Sequence, residues 1–366
     1  MTCHRHRSPD RRCKPIDEWP PGDRDLWLAA LRPGDVLEDG GELSRRSEFT
    51  IRNIAMGYGR YLTWLDRCGL LNERDSLADR ITPVRVRDYV AALERNNAIS
   101  TIINRTTALA LAAKVMNPQQ NWSWIYRSTA PMRARHEPAK PKRHRLVGIG
   151  VLLDLGLELM TGAQNETPVR RLIAYRDGLL IALLSARPLR IRNLVGLALD
   201  RNLVRRGKAW WIEVRAAETK TGEPIELPWP QGLSTYLEDY VSEIRPVLAA
   251  RRGRWTRPAG DALWLSTDGS PMTIKAVYDR VVTNTRAALG RSINPHLFRD
   301  CAATSVAIDD PVHVGIASQL LGHRTFSTTE KYYNQARSIE AARQMQDVLL
   351  SLRRGGVASR SDRAPR

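Results

Sequence analysis

The sequence predicts a mostly α-helical chain with one small β-sheet, divided into an all-helical N-terminal domain and a mixed α/β C-terminal domain. Three features predict it. Apolar residues recur at helical spacing from Glu48 onward. Two short runs rich in β-branched and aromatic residues, Trp210 to Val214 and Ile225 to Leu227, flank the turn-forming Glu218-Thr219-Lys220-Thr221-Gly222 and read as a hairpin. Between the two patterns lies APMRARHEPAKPKRHR, from Ala130 to Arg145, which is proline-broken, cationic and too polar to bury.

Residues 1–23, rich in Arg, Pro and Asp, read as a basic mobile arm. Residues 24–130 then form a helical bundle. Asp25 to Leu31 makes a short helix before the Pro33-Gly34 break. Ile51, Ile54, Tyr58, Tyr61, Leu62 and Leu65 share one stripe of a longer helix that Gly69 ends. Thr82 and Pro83 supply an N-cap and a first-turn proline for a helix carrying Val86, Tyr89, Val90 and Leu93. Ile103, Thr106, Leu109, Ala110 and Ala113 mark another, stopped by Pro118. Residues 131–145 are a basic linker suited to crossing a DNA backbone. Residues 146–345 hold the mixed domain, with helices over Leu152 to Thr161, Leu172 to Ser185, Leu233 to Ala250, Thr273 to Leu289, His296 to Ile308 and Val314 to Leu321 around the hairpin. Ala336 to Leu352 is amphipathic through Ile339, Met345, Val348 and Leu349, and residues 346–366 are the end of that helix and a polar basic tail.

With 366 residues and 42% apolar content the chain can bury two cores. A formal charge of +18 points to a polyanion as partner, nucleic acid first, because Lys and Arg that neutralise phosphates release condensed counterions. Cys3, Cys13, Cys68 and Cys301 are too few and scattered for a disulfide framework, which fits a reducing, cytoplasmic setting. Cys3, His4, His6 and Cys13 lack a zinc-ligand spacing, so no metal is expected there. Apolar runs such as Leu179 to Leu184 fall far short of a membrane span, and no signal-peptide core is present, so a soluble protein is expected.

The residues suited to chemistry cluster late in the chain. His296 and Arg299 lie three apart after Pro295, a helix-starting residue, so imidazole and guanidinium share a face near the positive helix end. Leu321-Gly322-His323 follows, and Tyr332 comes nine positions after His323. An unbroken helix would turn those nine residues through about 900 degrees and set them on opposite sides. Gly322 stops one helix, however, and Ser327-Thr328-Thr329-Glu330 has the form of a capping box that starts another, with Tyr332 in its second turn. The bend lets a tyrosine turn back toward His323; the spacing favours Tyr332, with Tyr333 as a packing residue. A tyrosine hydroxyl flanked by cations can attack a phosphodiester and conserve its energy in a phosphotyrosine link.

Four segments, PLRIRNLVGL, ETKTGEPIELP, HLFRDCAAT and QLLGHRTFSTTEKYY, in this order, resemble the motifs of the tyrosine recombinase (phage integrase) family. The resemblance covers about 146–345; the domain before it matches only in arrangement. It implies a SAM-like helical core-binding domain over 24–130 and a mixed α/β tyrosine recombinase catalytic domain over 146–345. By the same resemblance, Arg190 stands where the family has its first arginine, with Arg187 and Arg192 as less favoured alternatives, and Asn193 where a glutamate is common. Lys220 sits in the hairpin turn as the family's lysine does. His296 and Arg299 match the His-x-x-Arg, although Asp300-Cys301 replaces the commoner His-Thr, and His323 and Tyr332 match the later histidine and the nucleophile. The implied function is site-specific recombination or integration through a 3′-phosphotyrosine intermediate, with no cofactor, metal or ATP. The implied partners are double-stranded DNA and further copies of the chain in a synaptic tetramer, the tail docking in cis or on a neighbour. A topoisomerase IB-like relaxation of DNA and an inactive DNA-binding accessory role are the alternatives, and the presence of all six candidate residues argues against the latter.

Overall fold

The computed structural model describes residues 13–35, 39–135, 145–253 and 256–309, and the chain divides into two compact units, Met1–Ala139 and Lys140–Arg366. The first is helical through its described residues: α1 (Pro21–Leu31), α2 (Glu48–Arg67), α3 (Leu77–Arg80), α4 (Pro83–Glu94), α5 (Ile99–Met116), α6 (Trp124–Arg127) and α7 (Ala130–Ala134). The caps follow from the sequence. Ser47 accepts from the Thr50 amide at the start of α2, and Thr82 accepts from the Arg85 amide at the start of α4, where Pro83 has no N–H to leave unsatisfied. Tyr58, Tyr61, Leu62 and Leu65 of α2 and Leu109, Ala110 and Ala113 of α5 are buried in one core, with Tyr89 edge-on to Tyr61 at 5.1 Å between ring centroids.

That core encloses an ion pair. Arg80 Nε lies 2.8 Å from Asp23 Oδ2, both side chains being buried. Burying charge is costly unless the remaining donors are satisfied. They are: the other guanidinium nitrogens donate to the carbonyls of Asn72 and Asp75 at 2.6 and 2.7 Å, and the Tyr58 hydroxyl donates to Asp23 at 2.5 Å.

Three expectations for this unit need correction. The expected arm through residue 23 is folded from residue 13: Ile16–Glu18 makes a 3-10 turn, and Trp19 is buried edge-on against Trp27 and Tyr58. Two apolar anchors, Ile16 and Trp19, outweigh the charged residues around them. The expected linker begins as helix, since Pro131 fits the first turn of α7; its residues 136–144 lie outside the described ones. In α5 it is Ile102 that is buried and Ile103 that is half-exposed, one step of phase from the expected stripe.

The second unit contains α8 (Ile149–Gly162), α9 (Pro168–Ala186), α10 (Ile191–Val195), β1 (Leu203–Arg206), β2 (Ala209–Val214), β3 (Ile225–Pro228), α11 (Ser234–Asp239), α12 (Arg245–Ala250), α13 (Ile274–Leu289) and α14 (Pro295–Asp309). The sheet is antiparallel in the order β1-β2-β3, with Leu203 opposite Ile212, Trp211 opposite Pro228 and Val214 opposite Ile225. The run Leu179 to Leu184 is completely buried, which makes α9 the central helix of this core rather than a surface element. α8 lies directly on it. A Cβ on Gly156 would come within 2.6 Å of the Ala182 amide nitrogen, and one on Gly178 within 2.6 Å of the Gly156 carbonyl oxygen, so each helix needs its glycine for the other to approach.

The helix expected over Leu233 to Ala250 carries a π-turn at Tyr240–Ile244 between α11 and α12. Pro246 lacks the N–H that a regular turn would direct at Ser242, and the widened turn precedes it. The segment Val314 to Leu321 and everything after residue 309 lie outside the described residues. Among the described residues no helix is long and apolar enough to cross a membrane, and no cluster of three or more His, Cys, Asp or Glu side chains is placed to hold a metal ion.

Candidate active site

Arg190 is the N-cap residue of α10, the short helix that follows the end of α9. Between the two helices the chain runs through Arg187, Pro188 and Leu189, where the Leu189 amide donates back to the Arg187 carbonyl at 2.7 Å in a tight three-residue turn around the proline. Pro188 and Leu189 are buried, and Arg190 is half-buried. α10 is fixed from behind by the buried indole of Trp264, which donates to the Leu194 carbonyl at 2.8 Å.

Arg299 reaches this turn from α14. Its side chain is 8% exposed, and one terminal guanidinium nitrogen donates to the Pro188 carbonyl at 2.5 Å. Burial pushes its pKa down to about 10, and the positive charge of Arg190 pushes the same way, partly opposed by the Asp300 carboxylate. Two guanidiniums far apart in sequence are therefore near enough to repel. The sequence expectation places both in one site, and in the structure the charge of Arg190 is felt at Arg299.

His296 is exposed in the first turn of α14, one turn before Arg299. The turn is capped by Asn294, whose side-chain oxygen accepts from the amides of His296 and Leu297 at 3.0 Å each. Lys220 is exposed on the β2–β3 connection. The segment before it is ordered: Ala216–Glu218 forms a 3-10 turn, the Glu218 carboxylate accepts from the Arg215 amide, and the Thr219 hydroxyl lies 3.0 and 2.8 Å from the Ala216 and Glu223 carbonyls. His323 and Tyr332, with Tyr333, lie outside the described residues.

The alternatives to Arg190 separate by environment. Arg192 is exposed on α10. Arg187 is half-buried, and it directs Nε to the Pro228 carbonyl at 3.2 Å and a terminal nitrogen to the Ala186 carbonyl at 3.0 Å. Asn193, where a glutamate was noted as common, is 6% exposed, and its amide nitrogen has no hydrogen-bond partner among the described residues. Sequence reasoning missed Trp264 and the contact from Arg187 to Pro228; both act through backbone carbonyls, which leave no mark on residue spacing.

The arrangement can hold an anion. A buried guanidinium that feels the charge of a second one, walled by a buried turn, gains by sharing a negatively charged group.

A model of the phage integrase family matches residues 158–338. Tyrosine recombinase XerC of Pseudomonas syringae pv. tomato is 28% identical over 203 residues, covering 54% of this chain and 61% of that protein. Tyrosine recombinase XerD of Corynebacterium glutamicum is 24% identical over 286 residues, covering 77% of this chain and 86% of that protein. Several of the most similar relatives are matched over only half to three fifths of their own length. Among solved structures, a lambda integrase dimer bound to a COC' core site aligns with a TM-score of 0.49 at 17% identity, over 80% of this chain and 74% of that one. On the family match and the similarity to the XerC and XerD recombinases, the chain belongs to the tyrosine recombinase (phage integrase) family.

Proposed function

We propose that the protein is a site-specific DNA recombinase that cuts and rejoins strands through a 3′-phosphotyrosine link, with neither metal nor nucleotide. The observation that carries this reading is the pairing of Arg190 with the buried Arg299, whose mutual repulsion a shared phosphate relieves.

In this reading the two guanidiniums and His323 hold the non-bridging oxygens of the scissile phosphate. The Tyr332 oxygen bonds to phosphorus as His296 takes the phenol proton. The bond from phosphorus to the 5′ oxygen breaks, its electron pair stays on that oxygen, and Lys220 supplies the proton. Reversal by a 5′ hydroxyl of another strand restores the phosphodiester, so nothing else need be consumed. The net charge of +18 supplies sequence-independent attraction to duplex DNA. Exchange between two duplexes calls for four copies acting together, and the segment Ala336 to Leu352 is the candidate contact between them.

The test is a set of nicked suicide duplexes tiled across the genomic DNA that flanks the gene, incubated in EDTA without nucleotide. A covalent protein–DNA adduct is expected with wild type and with Tyr333→Phe, and none with Tyr332→Phe. An adduct that survives Tyr332→Phe and is lost in Tyr333→Phe refutes the assignment of the nucleophile. No adduct on any duplex refutes the enzyme.

A further inference from the structure

We propose that Arg187 is a positioning residue that fixes the sheet bearing Lys220 against the turn bearing Arg190. The inference rests on the recombinase reading above, which gives Lys220 its proton-donating role.

The segment from Ala186 to Arg190 is irregular, yet each part of it is tied down by a different element. Arg299 of α14 holds the Pro188 carbonyl. Arg190 opens α10. Arg187 extends the other way and donates through Nε to the carbonyl of Pro228, the last residue of β3, while its second donor returns to the Ala186 carbonyl at the end of α9. Among the described residues its charged head makes no ion pair and donates to two backbone oxygens. A half-buried guanidinium so placed works as a bracket with a planar, fixed fork, which a flexible ammonium would not reproduce.

What the bracket holds is a stiff lever. Pro228 pairs with Trp211 and Ile225 pairs with Val214, so β2 and β3 form a continuous ladder from the bracket to the turn with Lys220. Three strand residues span roughly 10 Å. A small tilt at Pro228 is carried to the far end of the ladder, where proton transfer tolerates little displacement. A second tie joins the same two parts: Arg201 donates to the carbonyl of Gly196, just after α10, and to Glu218, two residues before Lys220, both at 3.3 Å. Its side chain is 51% exposed, so water and salt screen it, and Arg187 is the firmer of the two.

A residue that merely stabilises the fold would slow every substrate alike. A residue that places Lys220 should matter only when the leaving group needs a proton. Replacing the bridging 5′ oxygen by sulfur gives a thiolate, which departs unprotonated because thiols are far more acidic than alcohols. The experiment takes the tiled duplex that yields a wild-type adduct, prepares it with oxygen or sulfur at that position, and measures single-turnover cleavage by wild type, Arg187→Ala, Arg187→Lys and Lys220→Ala.

On the oxygen substrate Arg187→Ala is expected to be slower by roughly tenfold or more, and on the sulfur substrate to come within about twofold of wild type. Arg187→Lys is expected to fall between. The sulfur rate also reports whether the variant is folded. Equal slowing on both substrates, or no slowing on oxygen, overturns the role given to Arg187. If Lys220→Ala cleaves the oxygen substrate as fast as wild type, it is the underlying reading that fails, and the inference with it.

Discussion

Arg299 carries a buried charge at the expense of stability. It is a base whose folded-state pKa is pushed below its ordinary value, by burial first and by Arg190 second. The sign follows: the linked stability is present above the unfolded pKa and lost as pH falls through about 10, so at neutral pH the folded protein carries the charge at a cost. Arg299→Gln keeps an N–H donor for the Pro188 carbonyl while removing the charge. Scanning calorimetry at neutral pH is expected to give a Tm no lower than that of wild type, whereas adduct formation falls by about 10²-fold or more. A lowered Tm would mean that the guanidinium is there for structure. The pairing of His296 with Arg299 was legible because three-residue spacing on a helix is a geometric statement. The choice of Arg190 over Arg187 was not legible in the residues themselves and came only from resemblance. Both are arginines one or two positions from one proline, and what separates them is whether the side chain meets a carbonyl at Pro228 or the field of another guanidinium.

At the scale of elements, the helices with clear apolar stripes were legible because burial of one face decides both their position and their phase. α2 and α4 lie where their caps and stripes put them. β1 was missed, since only Leu203 and Val204 of Leu203–Arg206 are apolar and its pairing with β2 depends on the turn at Gly207, with φ +61. The folded stretch after residue 13 was missed because composition averages over Ile16 and Trp19. The contact between α8 and α9 carries the heaviest demand on sequence, and it places the helix that leads into Arg190. Gly156→Val is expected to lower stability by about 1–3 kcal/mol, because the new side chain must push Ala182 away or bend α8. Denaturant unfolding checks this; a midpoint within error of wild type would show that the two helices are not held as closely as Gly156 and Gly178 imply. Adduct formation should suffer in the same variant, since the displaced helix ends at the Arg190 turn.

For the whole molecule, the balance of charge was the most general signal and the least specific. A value of +18 points toward a polyanion as partner and carries nothing about chemistry. The family motifs suggested the chemistry, and in the fold α9, α10, the end of β3 and α14 all border the short run from Ala186 to Arg190. In the proposed reading the partner of that cationic pair is the phenol of Tyr332, which lies outside the described residues. The most direct measurement is mass spectrometry of the trapped adduct. Trypsin releases Tyr332 to Arg337 as one peptide, YYNQAR, because Lys331 precedes it. Fragmentation of the nucleotide-bearing peptide is expected to place the phosphate on Tyr332. A phosphate on Tyr333, on a serine, or on no residue of this peptide would contradict the account.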